Sequence, residues 1–577
     1  MKRLLSGLVA ILFLFIAKPV ISQDFQKSFV DSVFALRNEV YFTFQVKDKG
    51  EIHKLTRVVS IDHVKGNRIH AYANKKEFSD FLRYKYEYRI LPPPGSLLSK
   101  SELDPGKQAD FPYDLTLWNY YPTYQQYLDF MTGFATSYPA ICKLDTVGTS
   151  IQGRLILSLR ISEQVGQEAA EPQFLYTSSM HGDEVTGYVL MLHLIDYLLS
   201  NYGIDPAVTE LVNTTEICIN PLANPDGTFY GGNNTVYGAV RYNANGVDLN
   251  RNFPDPKVGQ HPDGNDWQVE TEAWMSYAEN NHFTMSANFH GGAEVFNYPW
   301  DTWSKLTADD DWWQFVGREW ADTVHVYSPP GYFTDLDNGV TNGNAWYEIN
   351  GGRQDYMNYW HNCREVTLEI SNIKILPVSQ LLSYWDYNYR SFLNFIKQSQ
   401  FGINGIVTDT VTDVPVEAKV FINGHDKDFS EVYSRSTTGF YARPIYEGTY
   451  NVTFSAPGYY TKTMRDVSVA KWTSTNIDVQ LRPLTYDAQD KSVRSVLVYP
   501  NPTSGKFRLI LPENPIKPLC SIQIINTMGS IIYSTEITRY SENSTVDMEI
   551  PNLPGGLYFL KFNSGYRIYM DKLIIKK

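Results

Sequence analysis

The sequence predicts an α/β protein: a central sheet flanked by helices, with a small α+β domain before it and two all-β modules after it. Three observations predict this. Between residues 113 and 400 the apolar period switches repeatedly between about two and about 3.6 residues, as strands and helices alternating around one sheet require. Residues 23–112 mix short strand-like and helix-like runs on a smaller scale. Residues 401–486 and 493–577 carry only short strand patterns separated by turn residues.

The chain opens with Lys2 and Arg3 before an apolar run from Leu4 to Ala17, and Val20 and Ser22 precede Gln23. That run is too short to cross a bilayer, so residues 1–22 read as a cleaved signal peptide. In the next region EVYFTFQV, EIHKLTRVV, RIHAYAN, KEFSDFLRYK and YEYRIL alternate strand-like with helix-like patterns. Pro92-Pro93-Pro94-Gly95 reads as a stiff linker that ends it. In the large domain TYQQYLDFMTGFATSY and VTGYVLMLHLIDYLLSNY predict helices, and RLILSLRIS, FLYTSS and EICINPL predict strands. INGIVTD, AKVFING, YARPI, TYNVTFSA and STNIDVQL then suggest a β-sandwich. A second all-β module runs from VLVYPNPTSGKFRLIL to KLIIKK.

Composition bounds the function. At 577 residues the chain is too long for one core, and 43% hydrophobic with 20% charged residues fits a globular protein. A net charge of −13 disfavours nucleic acid as a partner, because binding phosphates needs concentrated Lys and Arg. Cys142, Cys218, Cys363 and Cys520 are too scattered to favour any disulfide pairing.

The chemistry begins where the strand FLYTSS gives way to a helix. His181, Asp183 and Glu184 fall at that junction, the carboxyl end of a strand, where open α/β sheets place their ligands. His181-x-x-Glu184 offers two metal ligands, a pattern that chance also produces. His290 ends another apolar run and is followed by Gly291-Gly292, which lets backbone approach a ligand. Glu365 and Glu369 share one face of the strand EVTLEIS, so alternation alone does not choose between them. Arg241, Asn250 and Arg251 in RYNANGVDLNRNFP suit the gripping of a carboxylate. Tyr347 sits in a Gly- and Asn-rich loop long enough to act as a lid. Asp335–Gly339 and Asp263–Asp266 look like fragments of calcium loops but lack the later bidentate Glu, so both read as turns.

These stretches, with HGDE, NPDG, SANFHGGAEVFNYPWD and TNGNAWYEINGGRQD, resemble in order the zinc metallocarboxypeptidases of the funnelin (M14) type. The likeness is to the regulatory branch of carboxypeptidases N, E, D and M. It implies a mixed eight-stranded sheet and one Zn2+ held by His181, Glu184 and His290. It implies Glu369 as general base, Arg241 as the group polarising the scissile carbonyl, and Asn250, Arg251 and Tyr347 as the clamp on the substrate's terminal carboxylate. Asp301 in YPWD and Gln354 in GGRQD match the pocket for the leaving side chain, and an acidic pocket implies C-terminal Arg or Lys.

Residues 401–486 are similar to the transthyretin-like sandwich of that branch. Residues 493–577 resemble a type IX secretion sorting domain, which implies that machinery as a partner and export through the periplasm to the surface or medium. Residues 23–112 resemble the small α+β pro-domains of the digestive branch, which leaves an inhibitory propeptide, a folding aid or a fixed accessory domain open, and a latent pro-domain is the expectation. Two rivals stand beside a secreted peptide hydrolase: a same-scaffold amidohydrolase acting on cell-wall peptides, and an inactive surface binding protein.

Overall fold

The computed structural model describes residues 23–103, 118–484, 496–511, 520–527, 529–537, 545–550, 553–563 and 568–576. The signal-peptide reading of 1–22 lies outside them. No helix among the described residues is long and apolar enough to cross a membrane. The chain divides into two compact units, one of Met1–Phe454 with Lys462–Gln480 and one of Ser455–Thr461 with Leu481–Lys577.

In the first unit, helix α1 (Gln23–Phe34) leads into strands β1 (Val40–Gln45), β2 (Ser60–Lys65) and β3 (Arg68–Ala73), then α2 (Lys75–Phe81) and β4 (Tyr88–Leu91). The sheet order is β2-β3-β1-β4, antiparallel throughout. Alternation sends Phe42, Phe44, Ile61, Ile69 and Ala71 to the core under the helices. It leaves Tyr41, Ser60 and Tyr72 in one cross-strand row on the other face. A bulge between Ile61 and His63 re-aims Asp62 beside them.

Neither α1 nor β2 is legible in the sequence. SIDHVK is polar, yet Ser60 and Ile61 are both buried, because one face of the strand meets its own core and the other meets the next domain. The expected linker is likewise docked. Gly95 is buried, its carbonyl accepts from the Gly238 N–H at 2.7 Å, and an added Cβ would lie 2.1 Å from the Ala239 oxygen.

The large domain carries α3 (Tyr124–Ser137), β5 (Cys142–Thr149), β6 (Leu155–Ile161), β7 (Gln173–Ser178), α4 (Thr186–Asn201), α5 (Pro206–Thr214), β8 (Glu216–Asn220) and α6 (Val269–Glu279). There follow β9 (Phe283–His290), β10 (Ala293–Tyr298), α7 (Asp310–Tyr327), β11 (Val340–Asn342), α8 (Arg353–Trp360), β12 (Arg364–Ser371) and α9 (Leu381–Gln398). The eight strands form one mixed sheet, ordered β11-β10-β12-β9-β7-β8-β6-β5. Its centre, β12-β9-β7-β8, is parallel. Both faces are covered, so its strands read as nearly continuous apolar runs. Phe174 and Tyr176 of β7 point into the core that includes Trp320 and Phe392, while Leu175 points into the opposite one with Trp274 and Met357. Helix α3 begins at a capping box, Thr123 and Gln126 exchanging bonds with each other's backbone.

The β-sandwich strands Gly402–Asp409, Lys419–Ile422, Phe440–Arg443 and Gly448–Ser455 fall where the sequence puts them, and Lys462–Val469 adds a strand that it does not reveal. Buried Asp309 ties this module to the large domain. It accepts from Arg443 at 2.8 Å and from Arg364 of β12 at 3.0 Å. The second unit packs two antiparallel sheets around Leu509, Ile522, Ile524, Leu560, Phe562 and Leu573. The four cysteines are buried and form no disulfide.

Candidate active site

Parallel strands share one carboxyl edge, and β7, β9 and β12 bring their residues to it. After β7 the chain turns through Ser179, in the left-handed region at φ 59°, so that His181 and Glu184 face back over the sheet. Gly182 is required in that turn, since a Cβ there would lie 2.3 Å from the backbone of Gly227. His290 ends β9 and is in register with Glu369 of β12.

The ligating atoms of His181, Glu184 and His290 lie within 4.8 Å of one another, all buried. His181 Nδ1 is 3.0 Å from His290 Nδ1 and from both Glu184 oxygens, and His290 Nδ1 is 2.8 Å from Glu184 Oε2. His181 Nε2 faces Asp248 Oδ1 at 3.0 Å. Burial works against the Asp248 charge, but Arg241 and His181 overcome it and hold this carboxyl well below its ordinary range. An ionised Asp248 only accepts, so His181 carries its proton on Nε2 and presents the Nδ1 lone pair inward. Burial lowers His290 to about 4, which keeps that imidazole neutral. For Glu184, burial is outweighed by His181, Lys374 and His290, and its carboxyl is held well below the usual value. Two imidazole nitrogens and a carboxylate fit zinc.

The two strand glutamates now separate. Glu365 is fully buried and bonds Arg353 (2.9 Å) and Ser286 (2.6 Å), an internal ion pair. Glu369, at the edge beside His290, keeps Oε2 buried with no partner, and burial followed by Glu184 pushes its carboxyl well up. Asp183 is not in the metal group. Its Oδ2 accepts from Tyr72 Oη at 2.5 Å.

Arg241 is fixed by Asp248 (Nε, 3.0 Å) and Glu184 (Nη1, 3.2 Å). Asn250 Oδ1 accepts from the Arg353 N–H at 2.9 Å. Arg251 Nη1 donates to the Asn250 carbonyl, and its Nε has no partner. Arg251 borders a cavity of about 430 Å³, walled on the other side by Arg57, Ser60 and Asn74 of the N-terminal domain. Tyr347 belongs to that domain's apolar cluster, and its hydroxyl lies 3.4 Å from the Ile61 carbonyl. The loop expected to act as a lid is thus pinned by the N-terminal domain.

Asp301 is buried, with its oxygens between Gly343 and Gly352. A Cβ on Gly343 would come within 1.8 Å of Oδ1. Asn297 Nδ2 donates to it at 3.2 Å, and burial raises it to about 6. Asp355 holds the turn by accepting from the Asp301 and Thr302 N–H groups. Gln354 is buried too. Its Oε1 accepts from the Thr367 N–H, leaving Nε2 without a partner.

Both calcium-like stretches are turns. Leu336, Asp337 and Asn338 all have positive φ, and Asp263 accepts from the Asn265 N–H at 3.1 Å.

Sequence reasoning missed three groups at the centre: Asp248, Asp62 and Lys374. Lys374 Nζ is 2.6 Å from Glu184 Oε1 and 2.6 Å from Asp62 Oδ1. Burial opposes its charge, but Asp183, Asp62 and Glu184 hold the ammonium charged well above the ordinary lysine value. Its signal was a lone cation inside the apolar run IKIL.

Known proteins match along most of the chain. A family described as zinc carboxypeptidase matches residues 127–391, a carboxypeptidase regulatory-like domain matches 402–482, and a secretion system C-terminal sorting domain matches 497–576. The chain is 36% identical over 421 residues to carboxypeptidase D of Anas platyrhynchos, covering 67% of this chain and 29% of that protein. It thus spans under a third of that relative's length. It is 35% identical over 384 residues to the carboxypeptidase N catalytic chain of Mus musculus, covering 60% of this chain and 82% of that one. With mouse carboxypeptidase M the identity is 34% over 344 residues, 57% of this chain and 76% of that protein. With this identity and coverage, and a His-Glu-His cluster at the carboxyl edge of the sheet, the chain belongs to the zinc carboxypeptidase family.

Proposed function

We propose that this protein is an exported zinc metallocarboxypeptidase that removes C-terminal Arg or Lys from peptides and is kept latent by its N-terminal domain. The observation that carries the reading is the convergence of His181, Glu184 and His290 beside an unpartnered Glu369. A zinc ion held by those three residues would supply Lewis acidity, lowering the pKa of a water to about 7. Glu369 accepts a proton from the attacking water and returns it to the departing amine. Arg241, held rigid by Asp248 and Glu184, offers its guanidinium to the carbonyl oxygen as charge develops there. Asn250, Arg251 and Tyr347 hold the terminal carboxylate, which confines cleavage to the last residue.

Asp301 supports the basic preference. It is a buried carboxylate between two glycines, and a guanidinium or ammonium reaching it gains a charge-assisted bond. The sorting-domain match supports export by the type IX machinery. Latency is supported by the N-terminal contacts with the centre: Ser60 to Asp248 (2.7 Å), Tyr72 to Asp183, and Asp62 to Lys374.

Release of the terminal residue from a peptide panel, with and without a chelator, tests the proposal. Chelator-sensitive release of Arg and Lys ahead of Phe is expected. Faster release of Phe than Arg would sink the preference, and release insensitive to chelation would sink the mechanism.

A further inference from the structure

Lys374 reaches the centre from the loop after β12, just beyond Glu369. Its side chain is buried and passes Gly292, whose Cβ position lies 3.6 Å from Lys374 Cε. The ammonium is shared between Glu184 and Asp62 and lies over the Tyr72 ring at 5.2 Å. Asp62 and Tyr72 both belong to the N-terminal domain. When that domain leaves, Lys374 loses these two partners and keeps Asp183 at 4.0 Å and Glu184, the latter already shared with Arg241 and two imidazoles.

Asp62 itself indicates what replaces it. Its Oδ1 is a carboxylate oxygen 2.6 Å from Lys374 Nζ and 4.0 Å from Arg241 Nη1, the two cations that also contact Glu184. Tyr41 fixes the other oxygen at 2.9 Å. In a peptide undergoing hydrolysis, the oxygen that becomes anionic beside Arg241 is that of the scissile carbonyl. We propose that Lys374 is a further catalytic residue, binding with Arg241 the scissile carbonyl oxygen as it gains negative charge, where Asp62 Oδ1 sits in the closed chain.

The inference rests on the carboxypeptidase reading above. Water oxygen bonds to the carbonyl carbon, one water proton passes to Glu369, and the C=O π pair moves onto the oxygen between Lys374 and Arg241. The pair then returns, the C–N bond breaks, and Glu369 delivers its proton to the amine. Lys374 stays an ammonium throughout. Its contribution is a charge fixed in advance where charge will develop.

The test uses the full chain as wild type, Asp62→Asn, Asp62→Asn with Lys374→Met, and Asp62→Asn with Lys374→Arg. For each, zinc content, hydrogen exchange over residues 60–65, and kcat and KM on a peptide ending in Arg are measured. Asp62→Asn is expected to speed both exchange and turnover. Adding Lys374→Met should leave exchange and zinc content as in Asp62→Asn while lowering kcat about 10²-fold, with KM nearly unchanged. Lys374→Arg should restore part of that loss.

Turnover by the Lys374→Met double variant equal to that of Asp62→Asn would overturn the assignment, leaving Lys374 a seat for Asp62 only. A rise in KM at unchanged kcat would overturn it too. So would exchange and turnover in Asp62→Asn that match wild type. Fast exchange and full zinc without hydrolysis by any version would instead defeat the carboxypeptidase reading, and this inference with it.

Discussion

The carboxylate of Asp62 lies 2.6 Å from the ammonium of Lys374, which in turn lies 2.6 Å from Glu184. A residue of the N-terminal sheet is thus one step from a candidate metal ligand. Tyr72 and Ser60 join it from the same face, so the domain covers the centre with polar groups matched to it rather than with an apolar lid. Such matched burial is stable only while both partners stay together.

Severing the N-terminal domain near Pro94 should therefore release activity. Rates of Arg release before and after cleavage of the folded chain are expected to differ by at least about tenfold, because an occluded site binds in proportion to its open fraction. Equal rates would dismiss inhibition.

Docking of that domain should weaken as pH rises. Burial, then the charge of Asp183, raise Glu39 to about 7, and its oxygens accept from the Arg241 and Tyr242 N–H groups. The sign follows from linkage. A raised carboxyl stabilises the docked state fully below its ordinary value of 4.5, and the contribution is lost as pH climbs through about 7. Once the base-catalysed rise of intrinsic amide exchange is divided out, protection over 60–65 should fall from pH 5 to 8, by no more than about tenfold per pH unit for a single proton. Glu39→Gln should flatten the profile, and an unchanged profile would remove Glu39 from the account.

Glu369→Gln should lower kcat by about 10²- to 10⁴-fold, the range for loss of a general base, while zinc content stays at wild-type level. His290→Ala should instead lose the metal. If Glu369→Gln kept full activity, the proton-transfer role would belong elsewhere.

Asp301→Asn should raise KM for peptides ending in Arg while sparing those ending in Phe. Since Asp301 is raised to about 6 by burial, Arg release should also fall below that pH as the carboxyl protonates, and the loss should be absent for a Phe-ended peptide. A pH profile identical for both peptides would count against Asp301 as the selecting group.

Much of the site was legible before any coordinates. His181, Glu184, His290, Arg241, Asn250 and Arg251 stand in motifs whose residue types and order suggest the chemistry, and strand ends locate His181, Glu184 and His290 at one sheet edge. The periods of β7, β8 and α4 were legible because buried strands and amphipathic helices write their burial directly into the chain. Strand β2 was not, because its outward face, with Ser60, is covered by polar partners of a different domain and so carries no apolar alternation.

The sequence by itself determined the local periods, the domain order and the inventory of candidate ligating and carboxylate-gripping groups. Only the tertiary structure decided which glutamate stands free, by pairing Glu365 with Arg353 and leaving Glu369 at the edge. It alone placed Lys374 and Asp62 together, since a contact between residues so far apart along the chain leaves no local pattern. The physical reason is that periodicity records whether a side chain is buried, whereas partnership depends on what the fold brings to the other side.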